Sequence, residues 1–475
     1  MLDPPLYDPR HEHDACGLGA LARLDGRPTH ELLQQALAAL VNLGHRGATG
    51  ADPFTGDGAG IMTQLPDRFL RDAAGRELGL ELPPPGAYAA GLVFLPRDPA
   101  LRQRCEELCV RICAEEGHRA LGWRDPPVRS HRLGELARAS EPVVRQLFVQ
   151  RRTGDEDAFE RKLYVIRRRV ERAAAAAGVP EADFTIVSLS ARRLVYKGLL
   201  TAPQLAGYYD DLTDQRFETA LALVHSRFST NTFGTWDLAH PFNLLAHNGE
   251  INTVRGNANW LAAREPQLRS ELLGDDVQKL FPIAEERWSD SAKLDAAIEL
   301  LVMGGRSLAH AVTTLIPPAS TDPGIGRDDR VRAFYEYTSS MAEPWDGPAA
   351  VVASDGVRVV AALDRNGLRP ARFVRSREGL VVIASEVGVV DVDPADVVEA
   401  GRIGPGRLLV VDTAAGRVSG DRDVKRALSR RRPYRAWLDR HRVLLEDLPP
   451  RPAADLAEPD RRRLLDAFGY TAEEL

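Results

Sequence analysis

Of the four cysteines in this 475-residue chain, one has neighbours suited to chemistry. Cys16 lies in HDACGLGAL, outside any apolar periodicity, with Gly17 and Gly19 beside it and a strand-like run behind it. Glycine lets a ligand or a second backbone come close, so Cys16 is a candidate nucleophile whose thiolate attacks a carbonyl carbon. A cysteine before glycines carries little weight alone; a second segment raises it. Residues 225–260, HSRFSTNTFGTWDLAHPFNLLAHNGEINTVRGNANW, crowd His, Arg, Ser, Thr, Asn, Trp and Gly more densely than a core strand tolerates. Buried polar groups need partners, so this is a built site or a very polar loop. Arg227 has the planar fork that grips a carboxylate, or it is an arginine in a surface salt bridge. Asn248 followed by Gly249 can turn a side-chain amide and a backbone N–H on one oxygen, the donor pair of an oxyanion hole, or it can form a hairpin turn. The other cysteines, Cys105, Cys109 and Cys113, fall at i, i+4 and i+8 on one helical face with Leu101, Leu108 and Ile112 nearby. With no His or fourth Cys to complete a ligand set, they read as small hydrophobes in a core seam, and no metal site is expected.

The elements that must position these groups follow from periodicity. Residues 31–43 read as a helix ended by Gly44, 58–65 and 88–96 as strands, 101–116 as a helix, and 156–177 as an Arg-studded helix whose charges form a solvated face. Residues 183–200 read as two strands around a polar turn, and ALALVHSRF leads into the polar segment. Between 349 and 390, short β-branched runs alternate with turns, which predicts an antiparallel meander of four or five strands; 404–412 adds another. Beyond about residue 420 the chain becomes basic, Pro-containing and helical, and a boundary is placed there. The pattern is that of an α+β layered fold. With 44% apolar and 27% charged residues the chain has the composition of a folded globular protein. Its 62 basic residues are outweighed by 68 acidic ones, and the net charge of −6 argues against nucleic acid or an anionic membrane as partner and for a small-molecule substrate. No run of about 18 apolar residues and no secretory signal is evident, so a cytoplasmic protein with free thiols is expected.

A series of segments then becomes specific. DACGLG, LGHRGATGADPFTGDGAG, HSRFSTNTFGTWDLAHPF, LAHNGEINTVRGNANW, SDSAKLDAAIELL, GGRSLAHAVTTLIPPA, DGPAAVVASDG, DRNGLRPARF and ASEVG together resemble the class II glutamine amidotransferase domain of glutamate synthase large subunits. They stand in the family's order and span residues 7 to about 415. The resemblance implies an N-terminal nucleophile hydrolase fold, a four-layer αββα sandwich of two antiparallel sheets between helices. It also implies a 1–15 propeptide to be removed, a glutaminase domain over 16–420, and a linker with the start of a central domain over 421–475. Carried over by position, Cys16 matches the nucleophile, Arg227 the clamp on the glutamine α-carboxylate, Asn248 and Gly249 the oxyanion hole, and Asp290 the carboxylate on the substrate's α-amino group. Thr230 matches a substrate-contacting hydroxyl. His11 departs from the family's more frequent Phe, within the segment expected to be removed.

The implied reaction starts when cleavage after Ala15 frees the α-amine of Cys16 to act as base. With an amine pKa near 8 and a thiol near 8.5, the two are matched for proton transfer. Glutamine is the implied substrate, and ammonia and then glutamate are released. In the complete enzymes ammonia passes to synthase domains that reduce it onto 2-oxoglutarate. Those domains hold FMN and an iron–sulfur cluster, so no cofactor is expected in this chain, and its partners are the synthase domains, on the same or a separate chain. Asparagine synthetase would add an SGGxDS nucleotide loop, which is not seen. The sugar-phosphate and phosphoribosyl enzymes have a much shorter stretch between the Gly-rich turn and the Arg motif than the one separating Gly60 from His225 here. A regulatory or docking module without turnover is the remaining alternative.

Overall fold

The computed structural model describes residues 16–49, 52–227, 234–322, 325, 328–450, 457–471, 473 and 474. Residues 1–15, expected to be a propeptide, and Thr230 therefore lie outside the described residues. The chain divides into two compact units, Met1–Arg431 and Arg432–Leu475. The helix Asp421–Ser429 belongs to the first unit, and the second carries the helices Tyr434–His441 and Glu458–Ala467.

Strands of the first unit run in chain order. The first eight are β1 (Gly17–Arg23), β2 (Ala59–Gln64), β3 (Tyr88–Leu95), β4 (Arg119–Arg124), β5 (Val143–Gln150), β6 (Thr185–Ile186), β7 (Arg193–Gly198) and β8 (Leu221–Ser226). They are followed by β9 (Leu245–Gly249), β10 (Ala349–Ser354), β11 (Arg358–Leu363), β12 (Arg372–Ser376), β13 (Leu380–Ala384), β14 (Val397–Arg402), β15 (Leu408–Asp412) and β16 (Arg417–Gly420). They form a seven-stranded sheet, β14-β12-β13-β1-β8-β2-β7, a five-stranded sheet, β16-β15-β11-β10-β9, and a four-stranded sheet, β4-β5-β3-β6. Neighbouring strands pair antiparallel, β1 being bound on one side by β8 with Gly17 opposite Ser226 and on the other by β13. The protein is thus α+β with antiparallel sheets.

Period-two alternation decides what each sheet covers. On the five-stranded sheet Ala246, Ala350, Val352, Ala361 and Val411 share a core with Leu18, Ala20 and Ala22 of β1 and with β8. The alternate residues Leu245, Ala349, Val351, Ala353 and Val360 share another with Leu294 and Ile298 of the helix Asp290–Met303 and with Leu308 and Val312 of the helix Leu308–Leu315. Helix His30–Asn42, started by the Thr29 hydroxyl accepting from Leu32 N–H at 3.2 Å, adds Leu33, Ala36 and Leu40 to the first core.

Two expectations are corrected. The strands between 349 and 390 are not one meander: β10 and β11 lie in the five-stranded sheet, while β12 and β13 lie in the seven-stranded one. Alternation fixes which residues face a core but is the same for either sheet, so it cannot reveal the crossing at Asp364–Ala371. The helix Glu156–Ala176 is not a solvated charged face, because Arg167 and Arg168 are 4% and 2% exposed. It is covered on two sides, by Phe159, Leu163 and Ile166 against the four-stranded sheet and by Tyr164 and Val165 against Leu273, Val277 and Leu280. Among its arginines, Arg167 pairs with Glu299, and Pro282 O and Glu285 accept from Arg168 at 2.7 and 2.9 Å. Cys105, Cys109 and Cys113 are buried with Leu147, Phe159 and Ile166. Burial pushes the Cys105 and Cys113 thiols up to about 11 and about 12, and Cys109 well above its ordinary value, as befits inert core thiols.

Candidate functional site

Cys16 precedes β1, at the end where β1 meets β8 and the C-terminal end of the helix His30–Asn42. Gly17 is required there by packing: a Cβ on it would stand 2.7 Å from Leu43 Cβ. Next in space is Arg227, which follows β8. Its backbone is held on both sides by the Gly-rich turn, with Arg227 N–H donating to Gly58 O at 2.8 Å and Ala48 N–H donating to Arg227 O at 3.2 Å. Asp57 N–H in turn donates to Ala48 O at 3.0 Å, so the turn is folded onto the arginine it supports. Arg227 is 6% exposed and is not a surface ion-pair arginine. Burial lowers its pKa, while the charges of Cys16, Asp57, Asp290 and Asp237 act in the opposite direction.

Asn248 and Gly249 end β9, where they stand opposite Ala350 and Ala349 of β10. The pair is therefore strand rather than a two-residue hairpin turn. Alternation turns Asn248 toward the seven-stranded sheet, and its Nδ2 donates to the carbonyl oxygen of Cys16 at 2.7 Å. Its residue is 1% exposed, and Oδ1 has no partner among the described residues.

Asp290 begins the helix Asp290–Met303, which Ser289 caps by accepting from Ala292 N–H at 3.2 Å. Its carboxylate accepts from Ile251 N–H at 2.8 Å and from Ser291 N–H at 2.6 Å, so it lies just beyond the end of β9. Five residues on, Asp295 accepts from Leu244 and Leu245 N–H at 2.9 and 3.0 Å, at the start of the same strand. Burial pushes Asp295 up to about 6. Two carboxylates on one helix thus fix both ends of the strand that carries Asn248. The sequence reading did not single out Asp295, nor the buried histidines His225, His240 and His247; the spacing SDSAKLD is the one signal that pairs Asp290 with Asp295.

The structure therefore brings together Cys16, Arg227, Asn248, Gly249 and Asp290. The cluster holds a thiol, a buried guanidinium for a carboxylate, an amide donor at the thiol's own residue, and a carboxylate for an ammonium. Among the described residues no group of three or more His, Cys, Asp or Glu side chains is placed to hold a metal ion, and no helix is long and apolar enough to cross a membrane.

The family described as glutamine amidotransferases class-II matches residues 16–437. The chain is 44% identical over 474 residues, 99% of its length, to the glutamate synthase [NADPH] large chain of Bacillus subtilis (strain 168). It is 41% identical over 479 residues to the glutamate synthase [NADPH] large chain of Azospirillum brasilense. It is 38% identical over 467 residues to the ferredoxin-dependent glutamate synthase of Pyropia yezoensis. The matches cover 30%, 31% and 30% of those three proteins, so the chain spans under a third of the length of these relatives.

Proposed function

Because this chain belongs to the class II glutamine amidotransferases, as the N-terminal part of glutamate synthase large chains does, we propose that it hydrolyses glutamine with Cys16 as nucleophile. The observation that carries the reading is the 2.7 Å hydrogen bond from Asn248 Nδ2 to the Cys16 carbonyl, which sets an amide donor beside the thiol. Removal of residues 1–15 exposes the α-amine of Cys16, which takes the thiol proton. The thiolate attacks the side-chain amide of glutamine, and Asn248 Nδ2 with Gly249 N–H stabilises the oxyanion. Ammonia leaves, a thioester remains, and water releases glutamate. Arg227 holds the substrate's α-carboxylate through its bidentate fork and Asp290 its α-ammonium group, with Thr230 as a further contact.

The glutaminase domain runs over 16–420, and residues 421–475 lead into the next domain. Its two larger sheets and flanking helices make the four-layer αββα sandwich. The released ammonia serves glutamate synthesis from 2-oxoglutarate in the cytoplasm, by synthase domains that hold FMN and an iron–sulfur cluster outside this chain. The deciding assay measures ammonia and glutamate from glutamine with and without Cys16→Ala. Equal release of both products, abolished by the substitution, is expected. No turnover in correctly processed protein would leave a docking or regulatory module instead.

A further inference from the structure

The peptide of His247, the residue before Asn248, is gripped from both sides by histidines. β9 is the terminal strand of its sheet, and alternate residues along it turn their backbone groups away from β10. Leu245 does so, its N–H going to Asp295 and its C=O accepting from Phe242 N–H at 2.8 Å. His247 does so next: its N–H donates to His240 Nδ1 at 3.3 Å, and its C=O accepts from His225 Nε2 at 2.9 Å. The two rings stack with centroids 4.2 Å apart and planes 18° from parallel. These partners fix the tautomers, because a carbonyl demands a proton on His225 Nε2 and an N–H demands a bare His240 Nδ1. Burial agrees, holding His225 down to about 3 and His240 well below its ordinary value, so both rings are neutral.

The grip lies one residue before Asn248 and two before Gly249, whose N–H the same alternation turns to the same edge. The His247 ring adds a second link. Its Nδ1 meets Ser291 Oγ at 2.7 Å, and that hydroxyl donates to Asp290 Oδ1 at 3.1 Å. A terminal strand lacks a neighbour to hold its outer edge, and here two side chains supply the hydrogen bonds that a further strand would give.

We propose that His225 and His240 are positioning residues, a stacked clamp on the His247 peptide that holds the Asn248 amide and the Gly249 N–H where the oxyanion forms; this rests on the glutaminase reading above. Donors for a developing charge act only when held close to their productive geometry, and a displacement of about 1 Å can cost on the order of 100-fold.

The test uses the processed chain. His225→Phe keeps the aromatic plane and removes the donor. The clamp predicts that kcat falls about 10- to 100-fold, with KM for glutamine changing little and Cys16 alkylated by iodoacetamide, a reaction that needs no oxyanion hole, at the wild-type rate. His225→Gln restores an N–H near the position of Nε2 and recovers most of the turnover. Should His225→Phe not fold, His240→Leu is read in the same way, with His240→Asn restoring the acceptor. Undiminished kcat in the donor-less variant, or equal losses in Phe and Gln variants, overturns the clamp. Turnover surviving in Cys16→Ala overturns the glutaminase reading and the clamp with it, whereas Cys16-dependent turnover that ignores His225→Phe removes the clamp alone.

Discussion

Asn248 donates to the residue that carries the thiol, and on the proposed mechanism the same donor stabilises charge that appears only after attack. Its loss must therefore lower kcat more than it raises KM. Asn248→Ala is expected to reduce kcat by on the order of 100- to 1000-fold, about 3 to 4 kcal/mol, and steady-state kinetics at varied glutamine would check it. A near wild-type kcat would remove Asn248 from the reaction. On the same mechanism Arg227 makes the opposite kind of contribution, binding ground state and transition state alike. Arg227→Lys keeps the charge and loses the bidentate fork, so KM for glutamine should rise about 10-fold or more, with a smaller change in kcat; an unchanged KM would detach Arg227 from the substrate. These residues were legible in the sequence because each sits in a dense, unusual string. The histidines of the clamp stand in the same strings and were passed over, since their partners are main-chain groups of segments brought together by pairing, and residue type does not announce them.

Element positions were legible wherever period and caps agreed. The helix expected over 101–116 runs Pro99–Glu115, started by Asp98 accepting from Leu101 N–H at 2.8 Å, and the strand expected over 88–96 is Tyr88–Leu95. Sheet membership was not legible, because β10 to β13 share one pattern and divide between two sheets. Burial of charge was hidden for a similar reason: Glu156–Ala176 carries the arginines of a surface helix, but the partners of Arg167 and Arg168 come from segments more than 100 residues away. Glu116, at the end of the helix Pro99–Glu115, shows the result. Its fully buried carboxylate accepts from Lys162, Lys279 and Arg169 at 2.8, 2.8 and 2.6 Å. Burial drives its pKa up, but these three cations outweigh it and hold it down to about 2, from 4.5. A depressed carboxylate stabilises fully above its unfolded pKa and loses that stability as pH falls through the folded one. Glu116→Gln should therefore cost on the order of 3 kcal/mol near neutrality, and urea denaturation should show the gap from wild type closing between about pH 4.5 and pH 2; a constant gap would assign the loss to packing. Gly249 is the matching backbone case. At φ +123° an added Cβ would lie 1.7 Å from Pro348 O, so Gly249→Ala should lower stability by about 3 kcal/mol or more, read as a fall in melting temperature.

At the scale of the whole molecule, β1, β8 and β9 converge on one point, and that point is residue 16. β1 starts at Gly17, β8 ends one residue before Arg227, and Asn248 of β9 reaches the Cys16 carbonyl. An arrangement centred on the residue at a strand's start suits a reaction that uses the chain terminus itself, provided the terminus is Cys16. The order of residues is then also a maturation requirement. With Met1–Ala15 attached, the nitrogen of Cys16 is an amide with no basic lone pair; once they are removed it is an amine with a pKa near 8, close to that of the thiol it must deprotonate. General base catalysis of this kind contributes roughly 100- to 10,000-fold, so the uncleaved chain should retain at most a few per cent of the activity. Two preparations would test this, one released by a protease so that Cys16 is the first residue and one that keeps Ala15 before it. Mass spectrometry establishes the terminus of each, and glutamine hydrolysis is then measured between pH 6 and pH 9. The Cys16-initiated protein should turn over, losing rate with one-proton dependence as the pH falls below the amine's pKa, while the Ala15-initiated protein should do neither. Equal rates and equal pH profiles would mean that another group takes the thiol proton, and that the convergence of strands on residue 16 serves substrate binding alone.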